Sequence, residues 1–297
     1  MEKIYIVLVN YNGKKYIKEC LDSIGRQTYK DIKVIVVDNA SSDESLQILE
    51  TYKDLILLKR RRNEGFARGC NIGIKYALRA GAEYVMLLNI DTKIDDELVY
   101  KLYNAASSNS VTSPKIFYDN SKTRMWYSGG NMDFQLGRHI QYHDKRLECL
   151  ESEKSKYPVR FVSGCCMLVH RNIWEKVGLL DEKYFMYFDD DDLSLRFLKK
   201  KVKMLYIPDA KMWHKVGGCF KGTENSLTAY YFARNRLYFT KKHSDVMQIN
   251  TIKLLWKILQ QDIFTEKKSF TEYKIYVIRG IIDFYLKRMY KAKYDFI

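Results

Sequence analysis

Short apolar runs alternate with amphipathic stretches through the first ninety residues. Residues 4–9 (IYIVLV), 32–37 (IKVIVV), 55–58 (LILL) and 85–88 (VMLL) have strand length and are rich in β-branched or continuous apolar residues. Such runs suit strands covered on both faces. Between them lie helical spacings. Ile17, Leu21 and Ile24 recur within 14–26, Leu46, Ile48 and Leu49 follow a capping Asp43, and a third helix is predicted through Arg79. The strands stop at turn signals such as Asn10-Tyr11-Asn12-Gly13, Asp38-Asn39-Ala40-Ser41 and Asn63-Glu64-Gly65. Four strand–helix alternations call for a parallel sheet with right-handed crossovers, an α/β, Rossmann-like layout. No GxGxxG is present, which argues against a dinucleotide cofactor.

The fourth run ends in an unusual way, YVMLLNID over residues 84–91. Alternation along an extended chain points Asn89 and Asp91 to the same side. Open α/β sheets bind ligands at the carboxyl ends of their strands, where this pair sits. Two readings stand: a divalent cation held by Asp91 with Asn89 assisting, or an Asp capping the helix expected over 94–106.

Beyond residue 111 the pattern turns to short strands and long polar loops. The span 119–158, rich in Gly, Tyr and charge, is expected to form a loop region. Residues 160–169 read as a strand or strand pair, followed by a short helix over 171–177 with Gly178 as its C-cap. A strand over 203–207 leads to Pro208 and on to Trp213-His214, and from Leu227 the chain reads as helical and basic. In between stands YFMYFDDDDLSLR, residues 184–196. Four adjacent carboxylates repel, so at least one has a raised pKa, a condition suited to a general base. Successive helical residues are ~100° apart, so the four cannot all face one site. The others cap the helix start, where negative charge is favoured. A calcium loop fits less well, because the ligands of such loops alternate with other residues around a central Gly.

Composition narrows the picture without choosing a function. With 297 residues, 46% hydrophobic and 29% charged, the chain is expected to be globular, one core with or without an appendage. No apolar run approaches the ~18 residues of a membrane span, and a strand begins at once without a signal peptide, so a cytoplasmic location is expected. The six cysteines are scattered, with no CxxC, and are expected to be reduced and buried. A net charge of +15 favours an anionic partner. Residues 251–297 hold ten Lys/Arg against five Asp/Glu. There Ile278, Ile281, Ile282, Tyr285 and Met289 fall on one helix face, with Arg279, Lys287 and Lys291 on the other. That pattern reads either as a membrane-surface anchor or as a stripe packed on its own domain or a partner subunit.

Six strings, in order, carry a resemblance: IVLVNYNG (6–13), VIVVDNASSD (34–43), NEGFARGCNIGI (63–74), LLNIDT (87–92), SGCCMLVHRNIWEKVGLLDEKYFMYFDDDDLSLR (163–196) and IPDAKMWH (207–214). Together they resemble the family 2 glycosyltransferases of the GT-A fold, and more closely the rhamnosyltransferase-like branch of polysaccharide assembly. The resemblance implies a GT-A catalytic domain over 1–225, its nucleotide-binding half about 1–110 and its acceptor half about 111–225. A basic amphipathic helical extension follows over 226–297.

By position, the resemblance assigns Val9, Tyr11 and Asp38 to the nucleotide base, and Asn63, Gly65, Arg68 and Asn71 to the ribose and diphosphate. Asp91 matches the metal carboxylate of a DxD motif whose first Asp is here Asn89, and His214 matches the histidine completing the site, with Mg²⁺ or Mn²⁺ as the cation. Asp190 matches the catalytic base, with Asp189 in reserve because four identical residues permit a one-residue slip. Arg234 is expected to reach the diphosphate. The implied reaction is inverting transfer from a nucleotide-diphospho-sugar to a hydroxyl of a glycan or lipid-linked glycan. The tail would contact the cytoplasmic membrane face, and homo-oligomerisation stays open. Two alternatives remain: a sugar-phosphate nucleotidyltransferase, for which residues 10–13 lack a Lys-bearing Gly-rich loop, and a non-catalytic nucleic-acid-binding protein. The dispersed basic residues and the absence of a nucleic-acid signature argue against the latter.

Overall fold

The computed structural model describes residues 2–119, 121, 123–142, 156–215, 224–264 and 272–293. Four parallel strands, β1 (Ile4–Asn10), β2 (Ile32–Asp38), β3 (Leu55–Lys59) and β4 (Tyr84–Leu88), lie in the order β3-β2-β1-β4. Val7 stands opposite Ile35 on one side and Leu87 on the other. All five residues of β4 are buried, as its continuous apolar run requires. Helices α1 (Ile17–Gly25), α2 (Ser45–Glu50) and α3 (Phe66–Arg79) make the crossovers, so every parallel strand ends at the same rim.

The helix expected over 94–106 begins later. Thr92–Ile94 is a short strand, β5, and α4 covers Leu98–Ala105. The reason is tertiary: β5 pairs with the end of the long strand β12 (Lys203–His214), His214 standing opposite Thr92. β12 also outruns its expected 203–207. It pairs in parallel with β6 (Ser110–Tyr118), and the register shifts between Ile207 and Lys211, around Pro208, before pairing resumes. That resumption carries His214 back to the mouth of β4.

Three short strands fill the segment after β6: β7 (Met125–Tyr127), and the pair β8 (Gly130–Asp133) and β9 (Arg138–Gln141), a hairpin outside the main sheet. β10 (Tyr157–Val159) edges the sheet on β12, and β11 (Cys166–His170) runs antiparallel between β4 and β6. β11 is shorter than the expected 160–169 because residues 163–165 turn toward the acidic helix. Helices α5 (Arg171–Val177) and α6 (Asp189–Lys199) follow, and Gly178 caps α5 at φ 82. Residues 143–155 of the expected loop region lie outside the described residues.

The helical tail comprises α7 (Glu224–Lys242), α8 (Thr251–Ile258) running into a π turn (Leu259–Ile263), and α9 (Glu272–Tyr285). α9 packs along α7, and the packed face is not the Ile278–Ile282–Tyr285 face, whose packing on the chain was one of two readings. Tyr276, Val277, Gly280 and Phe284 are buried, whereas Ile278, Ile282 and Tyr285 are exposed. Gly280 sets the seam, since a Cβ there would fall on the Tyr230 carbonyl oxygen. Among the described residues Cys20, Cys70, Cys165 and Cys166 are free and buried, and no helix is long and apolar enough to cross a membrane. Cys149 and Cys219 lie outside the described residues.

Candidate active site

Three neighbouring strands end in asparagines at one rim. Asn10 closes β1, Asn39 follows β2 and Asn89 follows β4, and the side-chain oxygen of each is buried without a hydrogen bond. A buried acceptor left unmade costs about 1–3 kcal/mol, so three on one rim mark a place arranged for outside donors or a cation.

Asp91 lies at the β4 end of this rim, and β5–β12 pairing brings His214 Nε2 to 3.2 Å from its Oδ1. His214 Nδ1, like Asn89 Oδ1, is buried with no partner. Burial disfavours charge on this ring, but the adjacent Cys165 and Asp91 outweigh it and push the pKa well above the usual histidine value. A carboxylate, an imidazole and a free amide oxygen form a donor set suited to a hard or borderline divalent cation. Among the described residues no group of three or more His, Cys, Asp or Glu forms a complete metal cage.

The four aspartates of α6 diverge. Asp192, wholly buried, takes Arg196 Nε at 2.8 Å, Lys242 Nζ at 2.6 Å and His243 Nε2 at 2.8 Å, and its pKa is held far below the usual range despite burial. Asp191 accepts the His139 backbone N–H and contacts its Nδ1 at 2.9 Å. Asp189 is buried, which together with the Asp190 charge pushes its pKa well up. Asp190 alone of the four is partly exposed. Burial and Asp191 raise its pKa to about 6, against the opposing pull of His139 and the Gly164 N–H. Gly164 N donates to Asp190 Oδ2 at 3.1 Å, and the next residue's carbonyl, Cys165 O, accepts Asn89 N–H at 2.9 Å. The 164–165 segment thus separates Asp190 from Asn89, with the cation-suited pair beyond.

The turn into α6 is strained. Tyr187 (φ 62) and Phe188 (φ 66) are both left-handed without being glycine, a cost of about 1–3 kcal/mol each. Asn235 of α7 holds it, donating to Met186 O at 2.8 Å and Tyr187 O at 3.0 Å.

The other expected nucleotide residues divide. Val9 and Tyr11 are half-buried at the end of β1. Asp38 is 1% exposed and accepts Asn10 Nδ2 (2.7 Å), Ser41 Oγ (2.6 Å) and Ser41 N (3.1 Å), so most of its capacity braces the turn. Asn63 Oδ1 accepts Gly65 N at 2.9 Å, and Gly65 adopts φ 80 where a Cβ would strike the Phe185 carbonyl oxygen. Arg68 is partly exposed beside Glu182 (3.4 Å) and Glu64 (3.8 Å).

Two assignments need correction. Asn71 is buried and uses both ends of its amide on Leu180, with Glu182 as a further acceptor, so it braces the approach to α6 and does not face the ribose. Arg234 is wholly buried between α7 and the chain after α9, donating to Tyr230 Oη (3.2 Å) and Tyr290 O (2.7 Å), and does not face a diphosphate. In both cases a polar residue on a helix turned inward because a backbone carbonyl needed its donor.

Sequence reasoning missed Asn10, Asn39, Asn235 and His139, which act through contacts distant in the chain. It also left the run Lys59–Arg60–Arg61–Arg62 without a role. These residues line a cleft of about 410 Å³ beside β2, where Arg60 N donates to Asp38 O. The run of basic residues was a usable signal.

Comparisons with known proteins bear on the family and the fold. The family model described as "Glycosyl transferase family 2" matches residues 5–178. The chain is 27% identical over 281 residues to a protein of Shigella flexneri named dTDP-rhamnosyl transferase RfbF, covering 91% of each. It is 27% identical over 265 residues to a Mycobacterium tuberculosis protein named N-acetylglucosaminyl-diphospho-decaprenol L-rhamnosyltransferase, covering 80% of this chain and 84% of that one. Among solved structures, GalNAc-T7 with UDP, GalNAc and Mn²⁺ superimposes with a TM-score of 0.63 at 14% identity, over 97% of this chain and 56% of that one. This likeness is one of fold, GT-A.

Proposed function

This chain belongs to glycosyl transferase family 2, and from that membership we propose an inverting, metal-dependent transfer of a sugar from a nucleotide-diphospho-sugar to a glycan hydroxyl. Rhamnose is the sugar favoured by the names of the relatives, and a lipid-linked glycan the acceptor. One observation carries the reading: the 164–165 segment meets Asp190 through the Gly164 N–H and meets the strand end bearing Asn89 through Cys165 O, where Asp91 and His214 pair at 3.2 Å.

Asp91 and His214, with Asn89, would hold Mg²⁺ or Mn²⁺. Such a cation neutralises the diphosphate and makes it a better leaving group. Tyr11 and Val9 would line the base, and Asn63, Gly65 and Arg68 the ribose and phosphates, within a basic rim extended by residues 59–62. Asp190 takes the proton of the acceptor hydroxyl as that oxygen bonds to the anomeric carbon from the face opposite the diphosphate. The bond from anomeric carbon to diphosphate oxygen breaks, the nucleoside diphosphate leaves with its electron pair, and configuration inverts. A pKa near 6 leaves Asp190 ionised at neutral pH yet basic enough to accept a proton.

The finer organisation belongs to the same reading, with a catalytic domain over 1–225 and a helical extension over 226–297. The extension's exposed apolar residues, Ile275, Ile278, Ile282 and Tyr285 on α9, Leu286 just after it and Trp256 on α8, would rest on the membrane that carries the acceptor. Basic flanks favour an anionic lipid surface over a second, equally basic copy.

A thermal-shift screen of nucleotide sugars with and without Mn²⁺ tests donor class and metal dependence together. The reading expects stabilisation by dTDP- or UDP-linked sugars that grows with Mn²⁺. Failure of every nucleotide sugar, with or without metal, would remove it.

A further inference from the structure

The β8–β9 hairpin stands outside the main sheet, yet it is fastened to the acidic helix at one residue. His139 gives Asp191 its backbone N–H at 2.8 Å and brings Nδ1 to 2.9 Å from both carboxylate oxygens. Its ring lies flat on Phe161, centroids 3.8 Å apart and planes 4° from parallel. The hairpin tip is held separately, by Arg236 of α7 donating twice to Leu136 O and by Gln248 N donating to Phe134 O. Asp191 is 2% exposed, so its charge needs a neighbour.

We infer that His139 is a positioning residue for the base: by offsetting the charge of Asp191 it keeps Asp190 ionised, and it does so while the β8–β9 hairpin is docked on α6. The inference rests on reading Asp190 as the base. It ties the readiness of that base to an element on the acceptor side of the cleft.

The groups that bear on Asp190 and His139 are few. On α6 they are Asp189 and Asp191, on β7 Tyr127 and on β9 Arg138, while Arg236 of α7 bears on Asp191 and Arg138. Burial works against a charged His139, but Asp191 and Asp190 prevail and raise its pKa above the usual value. In turn Asp191 pushes Asp190 up and His139 draws it down. Removing the imidazolium leaves two adjacent carboxylates with one less compensating charge.

The test is carboxylate and imidazole titration by ¹³C NMR on the full chain, with Asp190→Asn used to assign the Asp190 signal. The wild-type signal should titrate near pH 6. His139→Gln keeps a donor for Asp191 without the charge and should move that midpoint upward by about one pH unit. His139→Gln combined with Asp191→Asn should bring it back toward the wild-type value. An Asp190 midpoint unmoved in His139→Gln, or moved equally in single and double variants, overturns the inference. Asp191→Asn gives a separate reading should the first variant not fold: the His139 ring midpoint should fall toward 6.5, and an unchanged one overturns the inference as well. The reading of Asp190 as base fails by a different measurement, unimpaired transfer in Asp190→Asn, which leaves the titration result standing.

Discussion

Asp91 stands at a strand end among buried oxygens that have no hydrogen bond, whereas Asp192, a few residues into α6, is enclosed by Arg196, Lys242 and His243. Asp190 lies between these extremes, partly exposed and held by a backbone N–H and the Asp191 amide. The contrast teaches how a chain uses acidic residues. A carboxylate with every lone pair occupied holds structure together. One left beside unsatisfied atoms awaits a ligand, and one half-satisfied in a row of like charges is poised to move a proton.

The sharpest way to break this contrast is to neutralise each carboxylate in turn. Asp190→Asn should lower the transfer rate by about 10²–10⁴-fold while nucleotide-sugar affinity is retained. Asp189→Asn should cost far less, and a larger loss there would move the base one residue along.

Asp192→Ala should act on stability, costing about 3–5 kcal/mol in denaturant unfolding because Arg196 and Lys242 lose a buried counter-charge and His243 its acceptor. The pH dependence has a definite sign. The folded pKa of Asp192 lies below its unfolded value, so its contribution is present above about pH 3.9 and fades as pH falls through the folded value. The gap between wild type and Asp192→Asn should therefore be widest near neutrality and close in acid. A gap that does not change with pH would deny Asp192 its ion pairs.

Asn235→Ala leaves the Met186 and Tyr187 carbonyls without their donor at a left-handed turn. It should cost about 1–3 kcal/mol, with a fall in turnover that a surface substitution does not cause. Smaller still, wild-type activity should decline below about pH 6 as Asp190 protonates, and rise above it. Smallest in stability is Ile278→Ser with Ile282→Ser, within about 0.5 kcal/mol per site because both side chains are exposed. The same pair should nonetheless weaken binding to anionic vesicles in a flotation assay.

Much of the donor half was legible because its elements are local. Continuous apolar runs specify β1, β2, β3 and β4, and their parallel order follows from the alternation. Asp91, His214 and Asp190 were proposed from motif order; the β5–β12 pairing brings Asp91 and His214 together, and the turn at 163–165 brings Gly164 to Asp190. Contacts set by tertiary packing were not legible. The apolar pattern of α9 left open whether Ile278 and Ile282 pack on the chain or face outward; Gly280 sets the seam, Val277 and Phe284 are buried, and Ile278 and Ile282 stay exposed. Arg234 and Asn71 carry the chemistry of a phosphate and ribose site, but carbonyls distant in the chain claimed both. A side chain's partners across the fold leave no periodic trace in the sequence.

The central claim, a divalent cation held by Asp91 and His214, is tested most directly by Mn²⁺ titration followed by electron paramagnetic resonance, with a nucleoside diphosphate present. Wild type and Asp190→Asn should bind Mn²⁺ alike, while Asp91→Asn and His214→Gln bind it at least about 10-fold more weakly. Equal Mn²⁺ affinity in all four proteins would contradict the account.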